Sequence, residues 1–114
     1  MTLEREGMRC AAPLAVLTLL DRREMYGYEL VEALERDSGG LLAMGQSTIL
    51  PLLYTLEGKG HVESITREAP SGRRRKYYKA TAAGQAWLAS QRSQWATLVE
   101  AMTSLGIHGG KQKG

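Results

Sequence analysis

The turn Pro70-Ser71-Gly72 and the run behind it constrain this chain more than any other stretch. Five of the seven residues from Arg73 to Lys79 are cationic, and the other two are Tyr77 and Tyr78. An apolar-containing run, Val62 to Ile65, comes just before the turn. Proline and glycine so placed punctuate strands. The pattern predicts two strands, His61 to Glu68 and Arg73 to Ala80, joined by a charged tip. Five neighbouring cations repel one another and need either water or a polyanion. Taken alone, the run fits a solvated hairpin edge, where charge blocks edge-to-edge pairing, as well as a nucleic-acid contact.

The rest of the chain weighs on that choice. Its net charge of +3 conceals an asymmetry. Residues 1–60 carry six Lys/Arg and nine Asp/Glu, a net −3; residues 61–114 carry nine and three, a net +6. Charge concentrated in this way steers a polyanion. With 114 residues and 43% hydrophobic composition the chain can fold as one small domain with a modest core. No apolar run reaches the ~20 residues that span a bilayer. The charged first ten residues lack the apolar stretch of a signal peptide. The single cysteine, Cys10, cannot form an internal disulfide. No membrane association and a cytoplasmic location are the expectation.

Periodicity predicts the remaining elements. Residues 1–8 read as a frayed arm, and Pro13 to Asp21 as a short buried helix with proline at its start. A second helix opens at Tyr26-Gly27-Tyr28, turns Gly27, Leu30, Val31 and Leu34 inward, and stops at Gly39-Gly40. Gly27 fits a close helix–helix approach or a local turn. The third helix follows, with Thr48 as cap so that Pro51 falls in the first turn; Ile49, Leu52, Leu53 and Leu56 face inward. After the hairpin, Thr81 caps a long helix reaching about Leu105. Leu88, Gln91, Trp95, Leu98, Met102 and Leu105 recur along it every three to four residues, the spacing of a helix–helix seam. So long a helix exceeds what a domain of this size can cover with its own core.

Three helices, a hairpin with a basic tip and a long helix make a winged helix-turn-helix. The fold class is mainly α with a small β-hairpin, α+β overall. Residues 1–80 form the DNA-binding domain, 81–105 the dimerisation helix and 106–114 a disordered tail. In this architecture the third helix offers its first residues to the major groove, and the wing touches phosphate or the minor groove. The basic run therefore stands where the fold needs it.

Four motifs in register, Tyr26-Gly27-Tyr28-Glu29-Leu30, Ser47 to Leu53, Leu56-Glu57-Gly58-Lys59-Gly60 and Gly72 to Gly84, make the chain resemble the PadR family of bacterial transcriptional regulators. The resemblance spans about Pro13 to Leu105. It implies a homodimeric winged-helix repressor of double-stranded DNA, with one dimerisation helix per subunit, the short branch of the family. It also implies frequent release from DNA by a small ligand, in some relatives a planar or cationic aromatic held between the last helices. Two positions depart from the family pattern. Leu50 stands where an aromatic is usual, and Thr55 where Arg or Lys is usual.

The site residues follow. Gln46, Ser47 and Thr48 are assigned to base contact, with simple capping as the alternative, because no basic residue lies between Gln46 and Glu57. Arg73, Arg74, Arg75 and Lys76 are assigned to phosphate or minor-groove contact, with the solvated edge as the alternative. Tyr54 fits core packing or the DNA backbone. One of Tyr77 and Tyr78 faces the core, because neighbouring strand residues point oppositely. Leu88, Trp95, Leu98, Met102 and Leu105 form the dimer interface. Trp95, Gln91 and Trp87 form a candidate aromatic-effector site, with plain dimer packing the alternative for the tryptophans. Cys10 reads as inert, and His61 and His108 as structural or tail residues. No catalytic pair, cofactor loop or metal cluster is found, so no enzyme, cofactor or metal is expected. The competing reading is a winged-helix module that binds protein without specific DNA binding, which the uncharged third helix keeps open.

Overall fold

The computed structural model describes residues 5–107, with side chains from Ala11 onward. Residues 1–4 of the expected arm, the Cys10 side chain, His108 and most of the expected tail lie outside it. Four helices and three strands follow in the order α1 (Arg5–Arg22), β1 (Met25–Tyr26), α2 (Gly27–Asp37), α3 (Gln46–Gly58), β2 (Val62–Glu68), β3 (Arg74–Ala80) and α4 (Ala82–Ser104).

The first helix is longer than its sequence suggests. It begins at Arg5, and Pro13 lies inside it. A proline in a helix interior removes one bond of the ladder. The expected start at Pro13 rests on the preference of proline for that place, yet the apolar residues after it anchor a longer helix. Val16 and Leu17 are fully buried, and Ala12, Leu19 and Leu20 join them in the core.

A second difference is the third strand. Met25-Tyr26 pairs antiparallel with β3, Met25 opposite Tyr78 and Tyr26 opposite Tyr77. The sheet order is β1-β3-β2, so β3 is central and the basic strand is paired on both sides near its end. The expected hairpin forms, with Val62 opposite Ala80 through to Glu68 opposite Arg74. Its tip closes through Ala69 N–H to the Arg73 carbonyl at 2.7 Å and Gly72 N–H to the Ala69 carbonyl at 2.8 Å. Gly72 has φ +88°, a left-handed conformation that glycine adopts at least cost.

One core joins all of this. Leu30 and Leu34 of α2, Ile49, Leu53 and Leu56 of α3, Met25, Val62 and Tyr78 of the sheet, and Leu88 of α4 form one cluster with the buried residues of α1. Beyond Leu88, α4 leaves the core. Every residue from Arg92 to Ile107 is exposed except Met102, which is half-buried. Its end is closed, not frayed: Gly106 N–H donates to the Thr103 carbonyl at 3.0 Å and Ile107 N–H to the Met102 carbonyl at 2.8 Å. Gly106 and Ile107, expected in the tail, thus close the end of α4.

Candidate nucleic-acid interface

The first turn of α3 is capped by Gly45, with no side-chain bond. Thr48 and Ile49 N–H both donate to the Gly45 carbonyl at 3.0 Å. This corrects the expected start: the helix begins at Gln46, three residues before the position expected from Thr48 as cap, and Pro51 is its sixth residue. Proline there leaves the Ser47 carbonyl without its helical donor. The correction helps the site. Capping is the competing use of the Ser47 and Thr48 hydroxyls, and neither caps. Gln46, Ser47 and Thr48 are all exposed.

Beside them stands the wing. A groove of 510 Å³ runs between α3, the start of α2 and β3, lined by Gln46 and Leu50 on one side and Arg73, Arg75 and Lys76 on the other. The four cations differ in how they are held. Arg73 and Arg74 are exposed and enter no ion pair among the described residues. The Arg75 guanidinium lies 4.4 Å from the centre of the Tyr26 ring, an arrangement that orients the charge without cancelling it. Tyr77 meets the same ring edge-on at 5.4 Å. Lys76 Nζ is 3.7 Å from Glu57 Oε1, so part of its charge is offset by the end of α3. Lys79 pairs with Glu63 at 3.6 Å and lies away from the tip.

Of the two tyrosines, Tyr78 is buried and Tyr77 half-buried. Tyr54 is 79% exposed, which removes core packing as its role. Two features escape a reading of the sequence. Tyr26 and Tyr28 line the groove at the start of α2; the Tyr-Gly-Tyr repeat is the available signal. Arg67 grips Glu24 through Nε at 2.6 Å and Nη2 at 3.0 Å. That pair ties β2 to the corner before β1, and nothing local announces it.

The second candidate site lies on α4. Trp87, Gln91 and Trp95 share one groove of 400 Å³ with Pro13, Leu14 and Leu98. Trp87 is half-buried and stacks on His61, ring centres 5.3 Å apart at 28°. Trp95 is 51% exposed. Leu88 departs from its assignment. It is 1% exposed within a single chain, so it has no surface left for a partner and belongs to the domain's own core. Val99, which the predicted stripe omits, is exposed on the same side of the helix.

Four helices, a three-stranded sheet and a basic wing make a winged helix-turn-helix. The sequence matches the transcriptional regulator PadR-like family over residues 16–90, and the chain belongs to that family. Among solved structures it is similar to a PadR family transcriptional regulator from Eggerthella lenta, 32% identical, covering 88% of this chain and 85% of that one with a TM-score of 0.77. A transcriptional regulator from Clostridium thermocellum shares the fold, at 22% identity with a TM-score of 0.80, covering 90% and 96% of the two chains. Bacillus subtilis PadR in complex with operator DNA aligns at 25% identity with a TM-score of 0.64, over 70% of this chain and 45% of that one. Among the described residues no helix is long and apolar enough to cross a membrane.

Proposed function

We propose that this protein is a sequence-specific transcriptional regulator that binds double-stranded DNA as a homodimer. The observation that carries this reading is the shared groove. The exposed start of α3, with no side-chain cap bond, and the wing cations Arg73 and Arg75 border one concavity. Gln46, Ser47 and Thr48 then read base edges, Tyr54 touches the backbone, and Arg73 to Lys76 hold phosphate. Residues up to 80 act as the DNA-binding domain and α4 as the dimerisation helix. The exposed Trp95, Leu98 and Leu105 with the half-buried Met102 are covered by the same stripe of a second copy, since a soluble monomer rarely keeps such a patch in water.

Two-fold symmetry makes the operator an inverted repeat with half-site centres about one helical turn apart. Repression is the mode we infer, relieved when a planar aromatic enters the Trp87–Gln91–Trp95 groove, whose apolar walls and two amides, Gln91 and Gln94, suit such a ligand. The deciding experiment is selection of bound fragments from random DNA, followed by a salt titration. A symmetric selected site whose affinity falls steeply with salt is expected. The competing protein-binding module draws on the absence of Lys and Arg from Gln46 to Gly58. It gains if no sequence is selected and salt has little effect.

A further inference from the structure

The outer face of α3 carries no Lys or Arg, yet it is not wholly polar. Gln46, Ser47, Leu50, Pro51 and Tyr54 are exposed and share one side of the helix, opposite the buried Ile49, Leu53 and Leu56. Leu50 is the middle of that side, one turn from Gln46 and one turn from Tyr54. It is 44% exposed and is no part of the core cluster. It is backed by Gly27, whose missing Cβ leaves room for Leu50 Cδ2, 3.2 Å from where that Cβ would stand. It also lines the groove that Gln46, Arg73 and Arg75 border. A large apolar side chain is thus held at the centre of a surface otherwise built for polar contact.

On the base edges of the major groove the apolar group on offer is the 5-methyl of thymine. We propose that Leu50 is a specificity-determining residue that packs on a thymine 5-methyl in each half-site. One helical turn rises about 5.4 Å and base pairs stack about 3.4 Å apart. That thymine therefore lies one or two base pairs from the pair that Gln46 reads. This inference rests on the DNA-reading role proposed for α3 and adds the chemistry of one of its contacts. Gln46 supplies an amide that suits adenine and Leu50 the methyl contact, so each half-site carries A·T pairs at these two positions.

The test changes the DNA first and leaves the protein intact. In a selected operator, each thymine of one half-site is replaced singly by deoxyuridine, which removes the methyl and keeps the hydrogen-bonding edge. Affinity is measured at fixed salt for wild type and for Leu50→Ala. At one position uracil should weaken wild type about fourfold, the worth of one methyl group taken from water. Leu50→Ala should be indifferent to the same change, while its binding to unrelated DNA stays at the wild-type level. The inference is overturned if no uracil weakens wild type, which places Leu50 against sugar or water. It is also overturned if uracil weakens both proteins equally, which assigns the methyl to another residue. Failure to select any operator would instead remove the DNA-reading role itself, and this inference with it.

Discussion

Gly84 lays its bare α-carbon against the His61 carbonyl. A Cβ built there would overlap the carbonyl oxygen and stand 2.9 Å from its carbon. The same carbonyl accepts the Thr81 N–H at 3.0 Å. Thr81 completes the joint: its hydroxyl donates to the Gly60 carbonyl at 2.6 Å and accepts from Gly84 N–H at 3.0 Å. The start of α4 is thereby fixed to the end of α3 and the start of β2. Trp87, one turn further on, stacks on the His61 ring. The helix proposed to pair two copies and the helix proposed to read DNA therefore share one rigid corner.

Gly84→Ala forces that corner apart, because the clash is with backbone and not with the end of a mobile side chain. Overpacking of this kind costs typically 1–3 kcal/mol and occasionally more. A destabilisation of about 3 kcal/mol is expected, read from urea denaturation at fixed protein concentration. An unchanged midpoint would mean that α4 can shift away from β2 without consequence.

What is legible in the sequence is what local pattern dictates. The inward faces of α2 and α3, the Thr81 cap and the β2–β3 hairpin follow from spacing and from Gly, Pro and Thr at element ends. Two residues of β1 are too few to alternate, so Met25-Tyr26 leaves no signal. Pro13 and Pro51 mislead for one reason: proline costs least in a first turn, yet both lie inside helices that packing holds. Leu88 shows a different limit. A seam with the domain's own core and a seam with a partner have the same period, so only burial in the folded chain assigns Leu88 to the first. Arg75 meets Tyr26 and Arg67 meets Glu24 across more than 40 positions of sequence, beyond the reach of any local pattern.

The wing cations differ in their attachments, and this gives a graded expectation. Replacing Arg74 and Arg75 together by alanine should weaken binding to every DNA sequence alike. The salt dependence should fall by about one unit of slope for each phosphate that the wing no longer neutralises. Lys76→Ala should have a smaller effect, since Glu57 already offsets that charge. Equal slopes for wild type and the double variant would take the wing out of the interface.

Gln46→Ala addresses base reading. With no side-chain cap bond at this helix start, the change should leave the fold intact and act only on DNA. Preference should relax at one or two base pairs per half-site, at a cost of about 1–3 kcal/mol there. A uniform weakening across all sequences would reduce Gln46 to a backbone contact.

Leu98→Asp tests the partner helix. Leu98 is 47% exposed in the single chain, so a carboxylate there disturbs no internal packing. Against a second copy it would be buried beside its own symmetry mate, where like charges repel and give up their water. Sedimentation should show monomer. A dimer that survives the change would put the interface elsewhere on the molecule.

The groove on α4 supports a last prediction. Trp95 is half open to solvent, while Trp87 is backed by His61 and half-buried. One wall is therefore fixed and the other is free to adjust, with the Gln91 amide between them. A planar aromatic stacked there would change the emission of both indoles. Titration of the wild type with planar aromatic dyes and phenolic acids should quench tryptophan fluorescence to saturation, and Trp95→Ala should bind at least tenfold more weakly, the effect of about 1.4 kcal/mol in stacking. Removing Trp95 leaves Trp87 as the reporter, so weak binding by the variant remains measurable. If no compound quenches the wild type, or if Trp95→Ala binds equally well, then Trp95 serves only to pack against the partner helix and the effector reading falls, with the DNA-binding reading untouched.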